Sequence, residues 1–116
     1  MNKQPVYLKL YETISHAILD GEYADGDLLP SVRAFANEQG ANPLTVAKAY
    51  QLFQDRGLVS VKRGVGLFVA RGAVQKLRNA ERKNFIDNSW PLISKHMQRI
   101  GLNPGDLANG KSENTD

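Results

Sequence analysis

Two residues that favour the start of a helix lie on either side of a glycine that favours the end of one. This short stretch constrains the fold of the chain more than any other feature. Ser31 is a good N-cap, and the helix that it begins ends at Gly40. Asn42 is a second N-cap, and Pro43 fits the first position of the following helix because no amide donor is needed there. The turn between the two helices is therefore very short, which is typical of a helix-turn-helix.

The surrounding residues supply a first helix and a small hairpin. Apolar residues at helical spacing predict an amphipathic helix over residues 7–20. The helix that begins at Pro43 runs to about Arg56, and its predicted inner face consists of Val46, Ala49, Tyr50 and Phe53. Two short strand-like runs follow, at residues 58–61 and 66–70. The sequence therefore predicts a mainly α fold with a small β-hairpin, a winged helix-turn-helix over residues 1–72.

The C-terminal third predicts a helical dimerisation segment over residues 73–110. A long helical stretch reaches about residue 100, and Pro91 should kink or divide it. Its apolar residues are spaced four, three, four and three apart, a pattern typical of a seam for another helix: Ile86, Trp90, Ile93, Met97 and Ile100. A fragment with one main helix has little else to cover this seam, so we expect a homodimer. Pro104 indicates one more short helix, and residues 111–116 are predicted to be disordered.

Bulk composition narrows the class of protein. The chain has 116 residues, no cysteine and a net charge of +3. It lacks a run of about 20 apolar residues and a signal-peptide pattern, so we expect a soluble, cytoplasmic protein without membrane association. The two histidines are solitary, which predicts no metal site, and we expect no cofactor. Because no nucleophile is paired with a base, the sequence does not predict an enzyme.

The distribution of charge points to a polyanionic partner. Residues 42–72 hold five basic residues and a single acid, whereas residues 20–38 are predominantly acidic. Near the start of the third helix, Thr45 and Lys48 suit a base edge or a phosphate, and Leu44 suits a thymine methyl. We therefore expect this helix to enter the major groove of double-stranded DNA.

The loop between the predicted strands is the second candidate DNA contact. Lys62 and Arg63 supply positive charge to neutralise a phosphate strand or reach into a minor groove. Gly64 and Gly66 let the backbone lie close to that strand.

These motifs, in this order, resemble the DNA-binding domain of the GntR family of bacterial transcription regulators. The resemblance covers about residues 5–70 and is carried by PVYLKLYETISHAILDGEYADGDLLPS and LPSVRAFANEQGANPLTVAKAYQLFQDRGLVSVKRGVGLFV. The NP-x-TVAKAY form of the third helix is similar to the YtrA-like branch, in which only a short helical dimerisation segment follows the winged domain. The resemblance implies a DNA-binding transcription regulator with a dimerisation segment. Because a two-fold dimer reads two half-sites, we expect an inverted-repeat operator, and of the two kinds of regulator we expect a repressor rather than an activator.

The resemblance also implies specific DNA contacts. They fall on Arg33 of the LPS-x-R turn, with Ser31 of the same motif, then on the start of the third helix and on the wing. The remaining implied residues are Asn42, Pro43, Thr45, Arg63 and Gly64. Family members often carry arginines where this chain has Pro43 and Ala47, so the base preference of relatives does not transfer.

Several alternatives stay open at the level of sequence. Arg33 can instead form a salt bridge with Glu38, and Lys62 with Arg63 can be an ordinary solvated hairpin tip. The apolar seam can pack within its own chain. A winged-helix module that binds protein rather than DNA is the competing function. The sequence identifies neither an operator nor a small-molecule effector.

Overall fold

A computed structural model of the chain describes residues 4–108, so the tail predicted at 111–116 lies outside the described residues. The elements are α1 (Val6–Leu19), α2 (Val32–Gln39), α3 (Pro43–Asp55), β1 (Val59–Lys62), β2 (Gly66–Val69), α4 (Ala73–Asn84), a π-helical turn (Phe85–Ser89), α5 (Trp90–Arg99) and α6 (Pro104–Ala108). The predicted mainly α fold with one small hairpin is confirmed. Contacts group the chain into two compact units, Met1–Asn79 and Ala80–Asp116.

The turn between α2 and α3 forms as the sequence predicts. The Ser31 hydroxyl accepts a hydrogen bond from the Ala34 amide at 3.0 Å, which caps α2. The Asn42 side-chain oxygen accepts one from the Leu44 amide at 2.7 Å, which caps α3. Gly40 lies between them with a φ of 63°, a left-handed conformation that favours glycine. These three residues fix the direction change from α2 to α3.

The core of the first unit surrounds α3. Val46, Ala49 and Phe53 are completely buried on its inner face. The ring of Phe53 stacks on Tyr11 of α1 with 4.2 Å between ring centroids. Tyr50, on the same inner face, is buried too. Because both neighbouring helices pack on α3, its opposite face is left exposed.

A third extended segment, residues 26–29, pairs with the hairpin along β2. β1 and β2 are antiparallel, with Val59 opposite Val69. On the other side of β2, the amide of Gly26 donates to the Val69 carbonyl, and the amide of Val69 donates to the Asp27 carbonyl. The amide of Leu29 donates to the Leu67 carbonyl in the same way. We call residues 59–69 the wing, and its base is therefore held by the segment that leads into α2.

Side chains attach the beginning of α4 to the first unit. The carboxylate of Asp25 accepts hydrogen bonds from the amides of Gly72 at 2.8 Å and Val74 at 3.2 Å. The Lys76 ammonium donates to the carbonyl of Arg56, just after α3, at 2.9 Å. Ala73 and Leu77 of α4 belong to the core cluster of this unit. The sequence predicts that the winged domain ends at residue 72. The first compact unit of the structure extends to Asn79, because the beginning of α4 packs on its core.

The second unit contains the end of α4, the π-helical turn, α5 and α6. The sequence predicts a break at Pro91, and the structure places the irregularity in the preceding turn, Phe85–Ser89. Proline has no N–H to donate, and its ring crowds the carbonyl four residues earlier, here that of Asp87, which accounts for a wider turn at this point. Asp87 also pairs with Lys83 at 2.8 Å. None of the helices within residues 4–108 has the length and apolar character that crossing a bilayer requires.

Candidate nucleic-acid interface

The exposed face of α3 carries a mixture of apolar and polar side chains. Leu44, in the first turn, is 81% exposed, and Lys48 and Gln51 are exposed one and two turns later. The Gln51 amide donates to Asp55 at 2.9 Å. Thr45 is only half-buried, on the side of this face rather than at its centre. Leu44 and Lys48 are therefore both exposed near the N-terminus of α3, as are the smaller side chains of Pro43 and Ala47.

The Lys48 ammonium has a partner that the sequence does not reveal. Its Nζ lies 4.3 Å from the centroid of the Tyr7 ring on α1. A cation over a ring face at this distance is attracted by the ring quadrupole, so Tyr7 restricts the positions that the Lys48 side chain occupies. The two residues lie in different helices, and no local sequence pattern joins them.

The beginning of α2 offers hydrogen-bond donors to an anion. The Ser31 oxygen accepts the capping bond from Ala34, which leaves its O–H free to donate elsewhere. The amides of Val32 and Arg33 lie in the first helical turn, where no intrahelical acceptor exists. The Arg33 side chain is exposed, and within residues 4–108 it forms no ion pair, so the alternative pairing with Glu38 is not formed there.

The tip of the wing is a tight turn. The amide of Val65 donates to the Lys62 carbonyl at 2.9 Å, and Gly64 adopts a φ of 80° within the turn. The Lys62 ammonium lies back along the strand, 5.4 Å from the centroid of the Phe68 ring. Arg63, Gly64 and Val65 are exposed at the tip. The end of this turn therefore presents the Arg63 and Val65 side chains beside an open backbone.

A cavity of about 240 Å³ lies between the wing and the beginning of α2. It is lined by Leu28, Leu29, Pro30, Ser31, Val32, Tyr50, Val65, Gly66 and Leu67. Residues from the wing, from the start of α2 and from α3 therefore surround one space. The structure thus brings Ser31 and the wing tip to the two sides of the same gap.

Tyr50 joins α3 to the same place. Its hydroxyl donates to the carbonyl of Pro30 at 2.8 Å. Burial, followed by the proximity of Tyr23 and Glu38, raises the pKa of the Tyr50 phenol above its ordinary value of 10.0. The phenol therefore remains a neutral donor at physiological pH, and α3 stays attached to the segment that precedes α2.

The residues of the predicted dimerisation seam differ in exposure. Met97 is buried at 5% exposure, and Trp90 is half-buried. Ile86, Ile93 and Ile100 are 57%, 42% and 59% exposed. The second unit thus leaves three isoleucines of the seam open to solvent. Among residues 4–108, no group of histidine and acidic side chains is placed to hold a metal ion.

Comparison with known proteins agrees with this geometry. Residues 6–69 match the family model described as bacterial regulatory proteins, gntR family. The HTH-type transcriptional repressor YtrA of Bacillus subtilis is 36% identical over 96 residues, covering 83% of this chain and 68% of that protein.

Solved structures show the same relationship. A GntR family transcriptional regulator from Listeria monocytogenes superimposes with a TM-score of 0.75 at 27% identity, covering 94% of each chain. The DNA-binding domain of AraR in complex with operator ORR3 superimposes with a TM-score of 0.57 at 28% identity, covering 60% of this chain and 83% of that one. The chain therefore belongs to the gntR family of bacterial regulatory proteins, which are DNA-binding transcription regulators.

Proposed function

We propose that this chain acts in the cytoplasm as a homodimeric repressor that binds an inverted-repeat operator. The observation that carries the proposal is the exposed N-terminal face of α3, with Leu44 and Lys48, in the same unit as a wing whose Val65 shares one cavity with Ser31 at the start of α2. Repression is supported by the similarity to the repressor YtrA. Operator binding is supported by the similarity to a domain whose structure was solved with an operator.

In this proposal α3 enters the major groove. Leu44 and Lys48 then face the base edges, because both side chains are exposed on its first two turns. Asn42 and Pro43 hold the beginning of the helix, with the positive end of its dipole, close to the DNA backbone. Thr45 lies at the edge of this surface and suits a phosphate contact.

Two further elements contact the backbone and the adjacent groove. The Ser31 hydroxyl and the Arg33 guanidinium bind phosphate at the start of α2, where the helix dipole favours negative charge. Lys62, Arg63 and Gly64 follow the neighbouring strand at the wing. These contacts position the protein on the duplex, while the face of α3 distinguishes sequences.

The homodimer rests on the open isoleucines of the second unit. Ile86, Ile93 and Ile100 expose apolar surface that an identical partner can cover. Dimers of identical chains are most often two-fold symmetric, and a two-fold protein reads two half-sites in inverted orientation.

DNA binding is tested with alanine variants of two cations. A duplex is first selected from a random-sequence library with the purified wild-type protein, and its affinity is measured by fluorescence anisotropy at several salt concentrations. Arg63→Ala removes one phosphate contact, so binding releases fewer counterions. The affinity should fall, and the slope of the logarithm of affinity against the logarithm of salt concentration should decrease by about one. Lys48→Ala should weaken binding to the selected sequence more than to random DNA. Lys95→Ala, which removes the same charge outside the proposed surface, is the control.

Unchanged affinity in both Arg63→Ala and Lys48→Ala would reject this interface and favour a module that binds protein instead. A wild-type protein that enriches no sequence from the library would reject sequence-specific binding altogether.

The dimer is tested separately by light scattering. Ile93→Asp and Trp90→Ala should give monomers that bind a complete operator poorly, because the apolar contact is lost and the two half-sites are no longer linked. Leu92→Asp introduces the same charge on α5, at a position that is 73% exposed and off the seam, and it should remain dimeric. An Ile93→Asp protein that stays dimeric contradicts the seam.

A further inference from the structure

The wing tip of this chain carries one exposed apolar side chain where hairpin turns are usually polar. Val65 is 57% exposed, although turn positions favour glycine, asparagine, aspartate and serine. Leu28, which lines the same cavity, is 47% exposed. The two side chains flank Gly66, where an added Cβ would lie only 3.2 Å from the Leu28 side chain. The side of the wing that faces α2 is therefore a small, exposed apolar surface.

Charge at the tip is correspondingly limited. The Lys62 ammonium lies over the Phe68 ring rather than at the tip. Gly64 has no side chain, so beyond Lys62 the exposed side chains of the turn are those of Arg63 and Val65. Val65 has no polar side-chain atom and cannot satisfy a hydrogen-bond donor of a ligand that it covers.

The two grooves of DNA differ in what such a tip can tolerate. In the minor groove, an A·T pair presents only acceptors, whereas a G·C pair adds the guanine N2 amino donor. An apolar side chain pressed against that amino group excludes water from it and leaves it unsatisfied, which is unfavourable. A narrow minor groove, typical of A·T tracts, also attracts an inserted arginine.

We propose that the wing selects A·T base pairs in the minor groove next to each half-site, and that Val65 is the residue that discriminates against guanine. The inference rests on the proposed function, since it requires α3 in the major groove and the wing beside it. It adds a sequence preference outside the bases that α3 contacts. Arg63 strengthens the preference for A·T pairs because it favours a narrow minor groove. Val65 acts differently, since it discriminates against the N2 amino group of guanine.

Modified bases test this directly. Starting from the duplex selected above, each base pair flanking the half-sites is changed to G·C, to inosine·C or to 2,6-diaminopurine·T. Inosine·C has the major-groove edge of G·C without the N2 amino group, and diaminopurine·T adds that group to an A·T edge. If Val65 reads the amino group, G·C and diaminopurine·T should each weaken binding about tenfold at the wing-contact positions. Inosine·C should bind within about twofold of A·T because it lacks the amino group.

A pair of matched variants separates the side chain from groove shape. Val65→Thr keeps the shape of the side chain and adds a hydroxyl that accepts a hydrogen bond from the amino group. Its preference for A·T over G·C should fall to about twofold or less, whereas groove shape alone would leave the preference intact. Val6→Thr, the same change at a side chain that is 58% exposed in α1, should keep the wild-type ratio.

The outcomes distinguish the proposals. Inosine·C that binds as weakly as G·C, or a Val65→Thr protein with the wild-type ratio, overturns the role of Val65. If the half-sites are bound specifically but no flanking position responds to the amino group, this inference fails while the proposed function stands. If no duplex is bound specifically, both fail.

Discussion

Replacing Asp25 with alanine removes the acceptor for two backbone amides at the start of α4, those of Gly72 and Val74. The Val74 amide lies in the first turn of α4 and the Gly72 amide lies just before the helix, so neither has an intrahelical acceptor. Loss of a single side-chain cap costs about 0.5–2 kcal/mol of stability. Here one carboxylate serves two amides at a helix N-terminus, where its charge is also favourable by a few tenths of a kcal/mol or more. Because both bonds are exposed to water, we expect the free energy of unfolding to fall by about 1–2 kcal/mol.

The assay is urea unfolding followed by circular dichroism, together with hydrogen exchange at single amides. Asp25→Ala should lower the urea midpoint with little change in slope, and the Gly72 and Val74 amides should exchange faster. Asp25→Asn should be intermediate, because its single side-chain oxygen can serve only one of the two amides.

Asp20 provides a control of equal charge. It follows the C-terminus of α1, and its carboxylate accepts no hydrogen bond from the described residues. A negative charge near a helix C-terminus is not stabilising, so Asp20→Ala should cause no loss of stability. If Asp25→Ala unfolds at the same urea concentration as Asp20→Ala, the attachment of α4 through Asp25 is refuted.

Three further predictions follow from the core of the first unit. The Ser15 hydroxyl is buried with no hydrogen-bond partner among the described residues, so Ser15→Ala should leave the free energy of unfolding unchanged or raise it by about 1 kcal/mol; a clear loss in urea would mean that the hydroxyl is satisfied. Phe53→Ala should lose about 3–5 kcal/mol because this ring is fully buried against Tyr11, and a loss below about 1 kcal/mol would contradict that packing. The pKa of Tyr50 is higher in the folded protein than in the unfolded one, so as the pH rises the phenol ionises first in the unfolded protein. The contribution of the neutral Tyr50 phenol to the free energy of unfolding is therefore complete below pH 10 and declines as the pH rises further. Tyr50→Phe should lose about 1 kcal/mol with its bond to Pro30 and show a smaller alkaline decline, whereas an identical pH dependence would assign that decline elsewhere.

The parts of the fold that the sequence predicts are those decided by neighbouring residues. Ser31 and Asn42 cap helices through amides two or three residues away, so residue type and position suffice to identify them. The buried face of α3 follows from helical periodicity because it repeats over several turns.

The parts that the sequence does not predict depend on contacts between distant segments. Asp25 and Gly72 lie far apart in the chain, and no local pattern shows that a carboxylate in one loop will cap a helix that begins much later. The position of Lys48 over the Tyr7 ring has the same cause. Pro91 does predict an irregular helix, but the type of turn depends on how the preceding carbonyls rearrange.

The short segment between residues 26 and 31 has a consequence for the thermodynamics of binding. Its backbone pairs with the wing, its Pro30 carbonyl receives the Tyr50 hydroxyl of α3, and its last residue caps α2. A displacement of any one of these elements therefore strains bonds to the others. We expect a surface built in this way to be ordered before it meets its ligand, so that association costs little conformational entropy. Most of the enthalpy of the contacts then contributes to affinity. Where a close fit requires bending, the duplex bends rather than the protein.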